Sequence, residues 1–196
     1  IEAWTHSGHR FALAVVTKTW GSSPRPAGSW MGIREDGFIV GSVSGGCVES
    51  AVAEAAMRAI ETGEPERLCF EGVDPEEIWR VGLSCGGSIS VLVMAGGTHG
   101  LADAIGRACA DETFAVVTDG KRIALWPGDD YEGLGSEAMA SNRILERNGW
   151  IAVPQRPRPK LLIVGAAHIA IPLVAIAKEL GFSTRVIEPR VGLAVK

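Results

Sequence analysis

The chain contains no C-x-x-C pair. Its four cysteines, Cys47, Cys69, Cys85 and Cys109, stand far apart, which removes zinc-ribbon and thioredoxin-type readings. It has no excess of positive charge. The formal net charge is −4, so no general electrostatic case for nucleic acid exists. No apolar run nears the length needed to cross a bilayer, and no secretory signal is visible. Sparse cysteines without a signal peptide fit a reducing cytoplasm better than a disulfide framework. Repeats and low-complexity tracts are missing too. The sequence opens on Ile1, so a short N-terminal piece is expected to precede it.

What is present is a globular composition, 46% hydrophobic and 21% charged over 196 residues. That is enough for one large domain or two small ones. "FALAVVTKT" (11–19) reads as a buried strand. It runs into "WGSSPRPAGSW" (20–30), a loop dense in Gly, Ser and Pro. Residues 30–43 read as a hairpin turning at Glu35-Asp36-Gly37. A helix is expected from about 47 to 62, on the stripe Val48, Ala51, Val52, Ala55, Ala56, Ala59 and Ile60, with Gly63 as its cap. "ERLCFEG" (66–72) and "SISVLVMA" (88–95) read as strands. "LADAIGRACA" (101–110) reads as a helix, and 113–126 as a hairpin turning at Asp119-Gly120. Cys69 and Cys109 fall inside a strand and a helix and are expected in the core.

"PQRPRPK" (154–160) has three prolines and three basic residues in seven positions, the composition of an extended linker. Residues 161–190 then read strand, turn, helix, strand, one βαβ crossover. Its helix is expected to bury Ile169, Leu173, Ile176 and Leu180. A doubly wound domain needs more chain than 161–196 supplies. The expected organisation is therefore a mixed α/β domain over 1–153, a linker over 154–160, and the start of a Rossmann-like domain, truncated or incomplete, over 161–196.

Chemistry concentrates in two small-residue loops. In "GSVSGGCVES" (41–50) the pair Gly45-Gly46 lets backbone approach a ligand or take positive φ. A helix mouth there offers free N–H groups and the positive end of its dipole to an anion. Cys47 in the first turn would have its thiolate favoured. Ser44, Gly45 and Gly46 are thus candidate anion ligands and Cys47 a candidate soft ligand. The plain alternative is a tight turn with a small buried cysteine. Glu49 either polarises a ligand or complements the helix dipole. "GLSCGGS" (82–88) repeats the ingredients in Cys85, Gly86 and Gly87, which share a pocket with Cys47 or form an unrelated turn. Arg25, between two prolines, is either pre-organised for an anion or simply exposed. In "VGAAHIA" the dinucleotide fingerprint keeps Gly165 but has Ala167 and Ala170 at the later glycine positions. Glu188 fits the ribose-binding acid, and His168 stands at the helix mouth.

Taken together, "TWGSSPRPAGSWM", "GSVSGGCVE", "VGLSCGG-SISVLV" and "LLIVGAAHIA…GF…RVIEPR" resemble the XdhC/CoxI family, accessory factors of xanthine dehydrogenase and related molybdenum hydroxylases. The resemblance spans most of 11–95 and 161–190, in the family's order. It implies an N-terminal XdhC/CoxI-type domain followed by a Rossmann-like unit. It implies a protein that binds molybdenum cofactor, assists its maturation and delivers it, a chaperone more than a turnover enzyme. The implied site is Arg25, Ser44, Gly45, Gly46, Cys47, Glu49, Cys85, Gly86 and Gly87, with Cys47 and Cys85 as the metal-proximal thiols. Gly165, His168 and Glu188 form a weaker nucleotide site for NAD(P). Implied partners are xanthine dehydrogenase or another molybdenum hydroxylase, with a cysteine desulfurase as sulfur donor, and no nucleic acid or membrane. A cytoplasmic homodimer is expected. Two other classes stay open: an NAD(P)-linked oxidoreductase, and a ligand-free scaffold subunit.

Overall fold

The computed structural model describes residues 1–71, 86–190 and 192. It contains two compact units, Ile1–Gln155 and Arg156–Lys196. The first has a five-stranded antiparallel sheet, in the order β3-β2-β1-β5-β4. Its strands are β1 (Phe11–Trp20), β2 (Trp30–Arg34), β3 (Ile39–Gly41), β4 (Glu66–Glu71) and β5 (Ser88–Ala95). A second antiparallel sheet runs β7-β6-β9-β8. It is built from β6 (Phe114–Thr118), β7 (Ile123–Trp126), β8 (Leu145–Arg147) and β9 (Trp150–Gln155).

β1 is apolar at successive positions because both of its faces are buried. Ala12, Ala14 and Val16 pack with helix α2 (Glu49–Thr62), whose Val52, Ala55, Ala56 and Ala59 form the apolar stripe. Phe11, Leu13 and Val15 face the other way, onto Phe114, Val116, Ile151 and Val153 of the second sheet. The second sheet then buries Ala115, Val117, Trp150 and Ala152 against helix α4 (Leu134–Ser141). The first unit is therefore layered helix, sheet, sheet, helix. Two short helices, α1 (Glu2–His6) and α3 (Leu101–Cys109), supply Trp4, Leu101 and Ala104 to the central layer. At about 1.5–3 kcal/mol for each fully buried large aliphatic or aromatic side chain, this double-faced burial dominates the stability of the unit.

The mixed α/β class and most elements agree with the sequence. α2 closes on Gly63 in the left-handed region, φ 76°, as expected of a glycine cap. Three expectations are corrected. α2 begins at Glu49 with Val48 as its cap, so Cys47 lies in the loop before the helix and not in its first turn. Cys69 is exposed: alternation along edge strand β4 sends Phe70 and Leu68 to the α2 core and Cys69 to the opposite face, beside the Ser90 hydroxyl. Cys109, the last residue of α3, is exposed as well, beyond the buried Leu101–Ala104 turn.

The second unit contains β10 (Lys160–Val164), α5 (Ala170–Glu179) and β11 (Ser183–Ile187), with β10 and β11 parallel. Pro154 and Gln155 close β9 and Lys160 opens β10, so irregular backbone is confined to 156–159. The expected helix face is corrected. α5 buries Ala170 and Ala177, while Ile169, Leu173, Ile176 and Leu180 are 67, 41, 57 and 69% exposed. A sheet of two strands gives a helix a narrow seat, and the wider apolar stripe is left outside it. Among the described residues no helix is long and apolar enough to cross a membrane.

Candidate functional site

Three of the loops singled out by sequence meet at one end of the five-stranded sheet. β1 ends at Trp20, whose register partner on β5 is Ser88. The loop after β1 therefore starts beside Gly86 and Gly87. Contact is close: a Cβ on Gly87 would lie 2.6 Å from the Ser22 carbonyl oxygen and 2.7 Å from that of Trp20. Only glycine fits there without moving backbone. The loop continues to Arg25, whose Nε donates to the Ser42 carbonyl at 3.4 Å. Pro24 meanwhile sits against Gly45. Arg25, the Ser42–Cys47 loop and the Gly86-Gly87 turn are thus joined. Arg25, Gly45, Gly46, Cys47 and Gly86 are exposed, whereas Ser44 and Gly87 are buried. Cys85 lies outside the described residues.

The loop before α2 is organised around one carboxylate. Glu49 Oε1 accepts from the Ser42 hydroxyl at 2.6 Å and from the amides of Val43, Ser44 and Gly45 at 3.2, 2.9 and 3.0 Å. Oε2 accepts from the Gly46 amide at 2.8 Å and, at a short distance, from the Ser44 hydroxyl. Ser44 Oγ in turn accepts from the amides of Cys47 and Val48, both at 3.0 Å. Six consecutive amides, 43 to 48, are therefore satisfied by Glu49 and Ser44. Gly45 and Gly46, at φ 85° and 125°, allow the backbone to curl its N–H groups inward, the arrangement of an anion-binding nest. Partial burial pushes the Glu49 carboxyl up, but the hydroxyls of Ser42 and Ser44 and the Ser44 amide outweigh it and hold its pKa at about 2.

This arrangement departs from the sequence expectation at one point. The amides of Ser44, Gly45 and Gly46 were expected to face an external anion, and they face Glu49. The spacing S-x-S-G-G-x-x-E carried the signal, since it places two hydroxyls and an acid around a glycine turn.

In the second unit, Gly165 lies in the turn after β10 and His168 is exposed ahead of α5. Glu188 is turned inward, its side chain 3% exposed. It accepts from the Ala166 amide at 2.7 Å and from Nη2 of Arg190 at 2.7 Å. The Arg190 guanidinium holds its carboxyl at about 2. As the side chain stands, it is committed to the turn and to Arg190 and does not face outward to a ribose. Two cavities occur elsewhere in the first unit. One of 570 Å³ is lined chiefly by apolar groups that include Trp30, Leu101 and Phe114. One of 550 Å³ borders Arg122, Tyr131 and Trp150.

Residues 4–71 match the model of the XdhC and CoxI family. "Uncharacterized protein YqeB" of Escherichia coli (strain K12) is 35% identical over 91 residues, which are 44% of this chain and 16% of that protein. "Molybdenum cofactor insertion chaperone PaoD" of the same organism is 36% identical over 88 residues, 44% of this chain and 27% of the relative. The matched stretch thus spans 16% and 27% of the length of these curated relatives. The crystal structure of a xanthine dehydrogenase from Bacillus halodurans matches with a TM-score of 0.76 at 24% identity, over 100% of this chain and 63% of the other. At that identity the likeness is one of fold.

Proposed function

We propose, from the XdhC and CoxI match over residues 4–71, that the chain is an accessory factor that binds molybdenum cofactor and passes it to a molybdenum enzyme. The observation that carries the reading is the meeting of the Arg25 loop, the Ser42–Cys47 loop and the Gly86-Gly87 turn at one end of a sheet. The match to a protein named as a molybdenum cofactor insertion chaperone supports it.

The residues fit the cofactor in part. Cys47 is an exposed thiol, suited to a soft, sulfur-ligated metal. Arg25 is an exposed guanidinium on the adjoining loop, suited to an anionic group. The amides of 43–46 do not fit a phosphate, because Glu49 holds them. When bound, the cofactor would supply the redox-active molybdenum centre. This chain's residues would hold and shield it. Cys85 is proposed as a second thiol on the basis of its motif. The reading extends to xanthine dehydrogenase or a related molybdenum hydroxylase as client, a cysteine desulfurase as sulfur donor, and a cytoplasmic homodimer as the working form. Commitment of Glu188 to Ala166 and Arg190 weighs against the NAD(P)-linked alternative.

The test is retention. The protein is incubated with molybdenum cofactor and desalted, then assayed for molybdenum and for pterin fluorescence. Wild type is expected to retain both, Cys47→Ser to lose most of the metal, and Arg25→Ala to hold the pterin more weakly. Absence of retention by wild type would sink the proposal.

A further inference from the structure

A nest of inward amides is ordinarily a site for an external anion. Here the chain brings its own. Glu49 draws six donors: four consecutive amides and the hydroxyls of Ser42 and Ser44. A glutamate at the start of a helix needs none of these to complement the dipole, so that role does not account for the geometry. The contacts also do more than satisfy Glu49. They fix the backbone up to Gly46, and Ser44 extends the network to the amides of Cys47 and Val48. The exposed thiol is therefore carried on a loop whose shape is set by a carboxylate two residues away.

We propose that Glu49 is a positioning residue, an internal anion that fills the Ser42–Gly46 nest and sets the place of Cys47. That the loop serves a cofactor rests on the reading above; the role of Glu49 in holding it does not. One consequence is that a ligand's phosphate is taken up outside the nest, with exposed Arg25, tied to the Ser42 carbonyl, as the cation on hand. A carboxylate that is only structural filling could be replaced by any group of its size. An internal anion could be replaced by a diffusible one.

The experiment measures hydrogen exchange of peptides covering 42–49 in the full chain, with iodoacetamide labelling of Cys47 read against exposed Cys69. Wild type, Glu49→Ala and Glu49→Gln are compared with and without sodium formate, and with inorganic phosphate. Glu49→Ala is expected to exchange roughly tenfold faster at 43–46, because these amides lose their Glu49 acceptor. Formate should slow that exchange and return the Cys47:Cys69 labelling ratio towards wild type. Glu49→Gln should exchange faster and not respond, since its amide fills the space and turns a donor towards donors. Phosphate should leave wild type unchanged. Unchanged exchange in Glu49→Ala, or fast exchange that formate does not slow, overturns the proposal. If Glu49→Ala fails to fold, Glu49→Gln decides: exchange equal to wild type overturns it, and faster exchange supports it. Cofactor retention is not read here, so failure of this role and failure of the proposed function are separate results.

Discussion

A carboxylate with six donors makes Ser44 its most exposed dependency. The Ser44 side chain is fully buried and its hydroxyl links Glu49 to the amides of Cys47 and Val48. Ser44→Ala leaves those groups short of partners, at a cost of about 1–3 kcal/mol. Urea unfolding should show a lowered midpoint with an unchanged slope. Glu49 also gives a pH signature. Its folded pKa of about 2 lies below the ordinary 4.5. Its stabilisation is therefore complete above pH 4.5 and is lost as pH falls towards 2. The difference in stability between wild type and Glu49→Gln should shrink over that range, and a difference that stays constant would contradict the assignment. Cys47 and Arg25 were legible as candidates because glycines and prolines flank them. The inward turn of the amides was not, since the same glycines serve an external anion equally well.

At the scale of elements, pattern reading worked where burial is one-sided or complete. β1 and α2 declare themselves through continuous and 3.6-residue apolar patterns, and both are central to the core. It failed at edges. Cys69 looks like core by residue type, but edge strand β4 has only its α2 face covered at that position. α1 and β8 are five and three residues long, too short to carry a period. The approach of the β1 loop to the β5 turn was legible only as two glycine-rich segments, because register decides which loops meet. Gly87→Ala tests that approach directly. Its methyl would press on the carbonyls of Trp20 and Ser22, and relief requires the two turns to separate. Overpacking of this kind costs about 1–3 kcal/mol. The variant should unfold at lower urea and lose cofactor retention more than its stability alone predicts. Retention equal to wild type would mean that Gly86-Gly87 and the Arg25 loop act independently.

Over the whole molecule, 154–160 was read as a linker from its prolines and basic residues, but Pro154 and Gln155 close β9 and only 156–159 is irregular. The surface of the second unit was not legible. A β-strand-turn-helix-strand pattern names the faces that want burial, but not whether enough strands are present to bury them. With two strands, Leu162 and Val164 on the sheet are 58 and 75% exposed, and Ile169, Ile176 and Leu180 on the helix are 57% or more. Apolar area of that extent on one small unit is costly in water, and among the described residues β10 and β11 pair only with each other, which leaves sheet edges open to another chain. Self-association that rises with concentration is the expected behaviour of a polypeptide of these 196 residues. Replacing Ile169, Ile176 and Leu180 with serine should shift sedimentation towards the monomer. The unfolding of the first unit should stay within about 0.5 kcal/mol, as exposed substitutions do. If the parent chain sediments as a monomer at every concentration, the stripe does not drive association and the expected homodimer does not form. If the triple variant still associates, the open sheet edges, and not the helix stripe, join the copies, since strand pairing needs backbone and not those side chains.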